Sequence, residues 1–299
     1  MQEFGDQYTR KKLDAVESYL KPYRQVLKKQ QFELLYIDAC AGSGHSMPKA
    51  VSKAEKESAK QARLDGFSMP VLEADQILTG SAVRALASDP PFHRYLLNDK
   101  KQANVRALSK IVDDEFPHLK DRVEITSLDA NDMLRQVCEK YDWKSTRALV
   151  FLDPFGLQIN YETLQMLGAT KAVDLWYLVP VFAMYRQVSG AGDINPDGGP
   201  RVDAALGTTA WRDRASVTEE IGNDLFDQPQ FRSQRAVDIA WFEKVAKERV
   251  GLAFNGQVLD ETLPLGKDGI HYFSLMFACA NPSKRAQEIA MRLAKAVLK

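Results

Sequence analysis

The fold of this chain is indicated first by residues Tyr36–Gly44, which read YIDACAGSG. The part that ends at Asp38 is a short apolar run, too short for an ordinary helix and typical of a buried parallel strand. A tight turn follows at Gly42 and Gly44, where the missing β-carbons let the backbone bend sharply and approach a ligand closely. A nucleotide-like cofactor is one interpretation of this turn, and an ordinary strand followed by a glycine turn is the other.

A second segment, Ala148–Gly156, repeats this pattern with the sequence ALVFLDPFG. An apolar run again ends in an acid, Asp153, directly before a turn that contains Pro and Gly. In open parallel sheets the carboxyl ends of the strands border the ligand crevice, at the point where the strand order reverses. Two such corners in one chain predict a shared site at that edge of a doubly wound α/β sheet.

Acids follow two further predicted strands. Tyr95–Asn98 is followed by Asp99, Val123–Thr126 leads to Asp129, and apolar residues at helical spacing come after each. A single acid of this kind is more typical of a solvated loop or a helix cap. Their recurrence at successive strand ends favours a common site.

In this order the segments resemble the S-adenosylmethionine-dependent methyltransferases with the doubly wound fold, and more narrowly the three-Cys-motif partner proteins. The resemblance implies an α/β fold with a mostly parallel seven-stranded sheet, a terminal antiparallel hairpin and helical insertions. It rests also on the blocks Gly80–Leu86, Val173–Leu175, Val179–Val181 and Tyr272–Ala278. The three cysteines of the family name belong to the partner, so they are not the three of this chain, which are Cys40, Cys138 and Cys279.

The resemblance implies that S-adenosylmethionine is the cofactor. Gly42 and Gly44 would let the loop pass under its methionine part, and Asp38 would bind its amino group directly or through water. Asp99 would hold the ribose, and Asp129 would accept from the adenine amino group. The complete set implied for cofactor binding is Asp38, Ala39, Gly42, Gly44, Asp99, Asp129 and Ala130.

The resemblance also implies catalytic roles for Asp153, Pro154 and Phe155. In methyltransferases that modify exocyclic base amines, the acid and the proline carbonyl accept the two amine protons, which aims the nitrogen lone pair at the methyl carbon. Those enzymes commonly read acid or Asn, Pro, Pro, aromatic, whereas here the aromatic is third and Gly156 fourth. The form found here also resembles guanine-amine methyltransferases that act on transfer RNA.

Two functions therefore remain open. The first is methylation of an exocyclic amine of a nucleobase in RNA or DNA. The second is a non-catalytic or regulatory methyltransferase-fold protein that works in a complex, with a three-Cys-motif partner protein as the other member.

Other enzyme classes fit the sequence less well. A dinucleotide-binding dehydrogenase needs a third glycine and an acid about 20 residues further on, but Asp99 lies 55 residues after Gly44. A P-loop phosphotransferase needs Lys and Ser or Thr directly after its glycines, and these are missing here. The histidines have no Cys, Asp or Glu at metal-ligand spacing, so no metal is expected.

Composition sets the outer limits. The chain has 299 residues with 45% hydrophobic content, which fits a single methyltransferase-like domain over residues 1–299. We expect no membrane segment, because no apolar run reaches membrane-spanning length. The chain begins without a secretion pattern and has no paired cysteines, which together indicate a cytoplasmic protein.

Charge is balanced, with 40 basic and 40 acidic residues, and the total gives no support for nucleic-acid binding. Three local clusters are basic: Arg10–Lys12, Lys28–Lys29, and the set Lys49, Lys53, Lys56, Lys60 and Arg63. Each is either a solvated helix face or a docking surface for nucleic acid or a partner protein.

Two intervals are longer than a simple strand-helix-strand unit requires. Residues 47–79 are interpreted as an insertion near the cofactor mouth, and residues 181–250 as a second one with a role in substrate or partner recognition. The second contains aromatic residues that form a small core or a stacking surface, namely Trp211, Phe226, Phe231, Trp241 and Phe242.

Apolar residues at helical spacing from Leu13 to Leu27 predict an opening helix, which we expect to pack on the sheet edge. Near the other end, a strand leading to Val258 and Leu259 is predicted to pair with Tyr272–Cys279 as a terminal hairpin.

Overall fold

The computed structural model describes residues 4–46, 78–223, 226, 228–267 and 269–298. The helices are α1 (Phe4–Leu27), α2 (Ser81–Leu86), α3 (Gln102–Glu115), α4 (Ala130–Lys140), α5 (Tyr161–Ala169), α6 (Val181–Tyr185), α7 (Gly199–Leu206), α8 (Ile239–Ala253) and α9 (Lys284–Val297). The strands are β1 (Glu33–Asp38), β2 (His45–Ser46), β3 (Leu78–Thr79), β4 (Arg94–Asn98), β5 (Val123–Thr126), β6 (Thr146–Leu152), β7 (Val173–Val179), β8 (Ser216–Asn223), β9 (Pro229–Arg235), β10 (Leu263–Lys267) and β11 (Ile270–Cys279).

Seven strands form one sheet in the order β10-β11-β7-β6-β1-β4-β5. The five strands β5, β4, β1, β6 and β7 run parallel to one another, while β11 is antiparallel to both β7 and β10. The chain leaves β1 towards β4 and β5 and then returns to β6 on the other side of β1. The strand order therefore reverses between β1 and β6, where such sheets bind their ligands. The predicted fold class is confirmed.

The central strand β1 shows why the sheet is covered on both faces. Its side chains alternate between the two faces, as strand geometry requires. Leu35 and Ile37 join a core with α4, α5 and α8, whereas Leu34 and Tyr36 join the core formed with α1, α2, α3 and α9. Because both faces are buried, the strand reads as an unbroken apolar run.

Helix α1 contacts the edge strand, as expected, but it also extends across a face of the sheet over interior strands. The ring of Tyr19 lies 5.6 Å from that of Trp176 on β7 and 5.1 Å from that of Phe277 on β11. The apolar side of α1 is wide enough to cover interior strands as well as the edge strand β10, which it also contacts.

Most of the first predicted insertion, residues 47–77, lies outside the described residues, as does its basic set from Lys49 to Arg63. The second predicted insertion contains α6, α7, the β8–β9 hairpin and most of α8. Trp211 and Phe242 are buried together with ring centroids 5.9 Å apart, and both belong to the core that covers the sheet. Phe231 is 62% exposed on the hairpin. The aromatics are thus divided between core and surface.

The terminal hairpin is present, but its first strand is β10 rather than the segment before Val258. Leu252 and Ala253 end helix α8, and Val258 forms only an isolated bridge to Ala278. Helical spacing over residues 239–253 outweighed the short apolar run at its end.

Within the described ranges, each helix is too short or too polar to cross a membrane.

Candidate functional site

The carboxyl ends of β1, β4, β5 and β6 surround a cavity of about 320 Å³. Its wall is formed by Ala39, Cys40, Asn98, Asp99, Lys100, Lys101, Asn104, Leu128, Asp129, Ala130, Asp153, Phe155 and Gln158. The structure thus brings together six of the predicted residues: Ala39, Asp99, Asp129, Ala130, Asp153 and Phe155. The other four, Asp38, Gly42, Gly44 and Pro154, lie behind this wall or beside it.

Asn98, for which no role was predicted, holds three strand ends together. Its amide nitrogen donates to the carbonyls of Ala39 (3.0 Å) and Leu128 (3.1 Å). Its amide oxygen accepts from Thr126 Oγ1 at 2.8 Å and from the Leu128 N–H at 2.9 Å. All four hydrogen-bonding positions of this side chain are used, which fixes the loops after β1, β4 and β5 relative to one another. A polar residue that ends an apolar strand was the signal for it.

Asp99, the residue after β4, connects the end of this strand to the glycine loop at residues 42–44. One carboxylate oxygen accepts from the Gly42 N–H at 3.1 Å, and the other accepts from the Lys101 N–H at 2.7 Å. Each carboxylate oxygen has a second lone pair, so Asp99 can accept from a ligand as well.

Asp129 is the N-cap of α4, as well as part of the cavity wall. Its Oδ1 accepts from the Asn131 N–H at 3.0 Å, and its Oδ2 lies 3.2 Å from Lys100 Nζ. Partial burial opposes ionisation, but the hydrogen bonds from Asn131 and the charge of Lys100 outweigh it and lower the pKa of Asp129. The site therefore presents an ionised acceptor here.

Asp38 is completely buried and is not part of the cavity wall. Its Oδ2 accepts from Ser81 Oγ at 2.6 Å, and its Oδ1 accepts from the Cys40 N–H at 3.2 Å. Burial raises the pKa of Asp38 to about 7, against the opposing effect of the Ser81 and Cys40 hydrogen bonds. In this position Asp38 ties the glycine loop to α2, and its predicted contact with the cofactor stays a prediction.

The two glycines of the loop serve different purposes. Both have positive φ, +65° at Gly42 and +84° at Gly44. A β-carbon on Gly42 would meet no atom within 4 Å, whereas one on Gly44 would lie 2.8 Å from Ile111 Cδ1. Gly44 therefore lets the loop pack closely on α3, and its predicted role beside the ligand stays a prediction.

The second corner is held by Asn131. Its amide nitrogen donates to the Gln158 carbonyl at 2.8 Å, and its amide oxygen accepts from the Asn160 N–H at 2.9 Å. Gln158 in turn accepts from the Phe155 N–H at 3.1 Å through its side chain. The corner is thereby fixed to α4 while Phe155 stays 83% exposed at the cavity mouth. Pro154 is buried below it.

Lys12 of α1 forms an ion pair with Asp153, so its predicted place in a surface cluster with Arg10 and Lys11 is wrong. It is 9% exposed, whereas its neighbour Lys11 is exposed. The signal was present in the sequence, because Lys12 shares the apolar helical face of Val16 and Tyr19.

Cys40 also reaches the cavity wall. Burial, aided by the negative charge of Asp38, raises the pKa of this thiol. It is therefore neutral at physiological pH and is a poor nucleophile. Among the described residues, no group of three His, Cys, Asp or Glu side chains could hold a metal ion.

Taken together, the cavity fits an adenosyl group by the chemistry of its donors and acceptors. Asp99 and Asp129 offer carboxylate oxygens to hydroxyl and amino groups, and Ala39, Leu128 and Ala130 offer an apolar surface to a flat ring. This combination of an apolar wall with a few polar groups is typical of cofactor sites.

No protein-family model and no curated protein matches this chain. Among solved structures, a Legionella pneumophila protein, LPL1258 of family model DUF519, is 15% identical, with a TM-score of 0.37 over 89% of this chain and 96% of that one. The glycopeptide N-methyltransferase MtfA is 9% identical in both of two complexes, over 88% of this chain and 93% of that one; its TM-score is 0.30 with S-adenosyl-L-methionine and 0.31 with sinefungin.

Proposed function

We propose that the protein is an S-adenosylmethionine-dependent methyltransferase and that its acceptor is an exocyclic amine of a nucleobase in RNA or DNA. The observation that carries this proposal is the shared cavity, in which Asp99 and Asp129 lie with Asp153 and Phe155. Residues suited to holding an adenosyl group thus face residues suited to receiving an acceptor.

The cofactor would be held by Asp99 at its ribose and by Asp129 at its adenine amino group, with Ala130 against the ring. Gly42 leaves room beside the methionine part, since the space above its α-carbon is open. When bound, S-adenosylmethionine supplies a methyl group on a positively charged sulfur, which is a good leaving group.

The acceptor side of the cavity needs to position one nitrogen. Asp153 and the Pro154 carbonyl would accept its N–H groups, which aims the lone pair into the cavity, and Asp153 would take the proton that the nitrogen loses. Phe155 offers an exposed ring on which a planar base can stack. Positioning of this kind contributes much of the rate in a displacement reaction.

The Lys12–Asp153 ion pair supports a neutral acceptor over an alkylamine. An unpaired carboxylate would attract the cationic ammonium form of an alkylamine, whereas the ion pair of Lys12 and Asp153 has no net charge. The exocyclic amines of nucleobases are uncharged near neutral pH, and they are compatible with this pair.

The first test is calorimetry with S-adenosylhomocysteine. We expect saturable binding to one site in the wild-type protein. Asp99→Asn should weaken binding by about tenfold, which is about 1.4 kcal/mol. Asp113→Asn is the matched control, because this exposed acid on α3 pairs with Lys120 at the surface, 2.7 Å away. Absence of binding to folded wild-type protein would reject the enzyme.

A second candidate function, as a non-catalytic methyltransferase-fold partner in a complex, is favoured by the β8–β9 hairpin. Its two strands pair only with each other among the described strands, and Val217, Ile221 and Phe231 are exposed on them. A three-Cys-motif partner protein would be the binding partner in this case. Cofactor binding without transfer to RNA or DNA, combined with complex formation that is lost in Phe231→Ser, would favour it.

A further inference from the structure

Lys12 is an unusual residue for the place that it occupies. It lies on the buried face of α1, and its ammonium group contacts Asp153 at the cavity. Burying a charge costs free energy, and buried ion pairs can often be replaced by apolar side chains without loss of stability. A charged side chain at such a buried position is therefore better explained by a role in the candidate functional site than by a contribution to the stability of the fold.

Helix α1 has other anchors that do not need this charge. Tyr19 donates to Asp174 Oδ2 at 2.8 Å, and Arg84 of α2 pairs with Asp14 and Glu17 of α1 at 2.6 Å each. The helix also buries apolar residues along its length, including Leu13, Val16 and Leu20. These contacts fix α1 on the sheet whether or not Lys12 is charged.

The surroundings of Lys12 contain two carboxylates. Asp153 contacts it directly, and Asp38 lies close enough that the charge of Lys12 lowers the pKa of Asp38, while the charge of Asp153 raises it. The other groups facing Asp38 are Ser81, the phenol of Tyr36 and the thiol of Cys40. Burial raises the pKa of both Tyr36 and Cys40, so neither contributes a charge near neutral pH. Lys12 thus pairs with Asp153, and its charge also acts on Asp38.

We propose that Lys12 is a positioning residue for the methyl acceptor, because its ion pair with Asp153 offsets the charge of that carboxylate and fixes it through one oxygen. The other oxygen, Oδ1, receives no hydrogen bond from the described residues and is left for the acceptor. This role rests on the proposed function, in which Asp153 receives the amine.

Three variants separate this role from a merely structural one. Lys12→Met removes the charge and keeps most of the side-chain length, and Lys12→Arg keeps the charge. Lys11→Met is the matched control, because it makes the same change at the adjacent, exposed lysine.

The first measurement is urea unfolding of the protein without cofactor, which does not depend on enzymatic activity. A carboxyl group with a raised pKa in the folded state makes the protein less stable as pH rises towards that pKa. Loss of Lys12 should extend this decrease to higher pH, because the pKa of Asp38 rises further. Asp174, whose pKa burial raises to about 6, contributes equally to all variants.

We expect the unfolding equilibrium constant of Lys12→Met, divided by that of the wild type, to be about tenfold larger at about pH 8.5 than at about pH 5.5. Lys12→Arg and Lys11→Met should show the same ratio at both pH values. An equal ratio for Lys12→Met at both pH values would overturn the proposal, whatever the function of the protein.

The second measurement is methyl transfer from labelled S-adenosylmethionine to total bacterial RNA and to genomic DNA. Lys12→Met should lower kcat by about 100-fold with the KM for the cofactor nearly unchanged, because only acceptor positioning is lost. Lys12→Arg should restore most of the rate. Transfer at the wild-type rate by Lys12→Met would overturn the role.

The experiments distinguish failure of the proposed methyltransferase function from failure of the proposed role of Lys12. Wild-type protein that neither binds the cofactor nor transfers methyl groups, but shows the pH effect, would make Lys12 a structural counter-ion and remove the positioning role. Cofactor binding without transfer to either nucleic acid would reject the nucleobase acceptor, and the unfolding measurement would then decide whether the charge of Lys12 stabilises the buried carboxylates.

Discussion

The two strand-end corners of this protein have similar sequences and different environments. At the β1 corner, Asp38 is completely buried and both its oxygens are held by Ser81 and the Cys40 N–H. At the β6 corner, Asp153 reaches the cavity and Phe155 is 83% exposed. An acid at the end of an apolar strand can therefore either organise a loop or face a ligand, and the neighbouring helices decide which.

The largest expected effect concerns the β6 corner, where Asp153 reaches the cavity. Asp153→Asn should lower the rate of methyl transfer by about 10²- to 10⁴-fold, because the acceptor loses both its positioning oxygen and its proton acceptor. The affinity for S-adenosylhomocysteine should stay within about twofold, since cofactor contacts lie elsewhere in the cavity. Transfer assays and calorimetry on the same protein preparation measure both quantities.

Asp132→Asn is the control for this variant, because Asp132 is an exposed acid on α4 that pairs with Arg135 at 3.2 Å. Asp38→Asn sharpens the comparison between the corners: it should weaken cofactor binding by loosening the glycine loop. If Asp153→Asn lost cofactor affinity and kept its rate, the roles assigned to the two corners would be reversed.

The next effect concerns Asn98, whose side chain holds the loops after β1, β4 and β5 together beside the cavity. Asn98→Ala should lower the free energy of unfolding by about 3 kcal/mol, because it leaves the buried carbonyl of Ala39 and the half-buried carbonyl and N–H of Leu128 without these partners. Urea unfolding measures the loss.

Asn160→Ala is the matched control for Asn98. Asn160 is the exposed N-cap of α5 and makes no side-chain capping hydrogen bond, so its loss should cost less than about 1 kcal/mol. Equal losses in the two variants would show that the strand ends are held by backbone pairing alone.

The sequence predicted the strands and the acids of this site because both follow from local patterns. Short apolar runs mark β1, β4 and β6, and β-branched residues in alternation mark β5. The acid at or after the end of each strand is visible without a structure. The direction of each side chain was not visible. Asp38 turns inward because Ser81, which is 43 residues away, offers it a hydrogen bond, and no local pattern encodes that contact.

Long-range contacts also explain the misplacement of Lys12 and of the first hairpin strand. The partner of Lys12 is 141 residues away in the sequence, so the cluster of basic residues around it suggested a surface. The segment before Val258 carries both helical and strand character, and its packing with α5 and β11 selects the helix. When a short apolar segment has both helical and strand character, its tertiary contacts determine which structure it forms.

The smallest expected effect compares one glycine from each corner. Gly44→Ala should cost about 2 to 3 kcal/mol, since the residue has a φ of +84° and its new β-carbon would lie 2.8 Å from Ile111 Cδ1 and 3.0 Å from Leu108 Cδ1. Gly156→Ala has a similar φ of +77° but no atom within 4 Å of the new β-carbon, so it should cost only about 1 kcal/mol. Because the backbone strain is shared, the difference in unfolding free energy isolates the packing against α3. Equal costs would mean that Ile111 and Leu108 move aside freely, and the β1 corner would then be no more closed than the β6 corner.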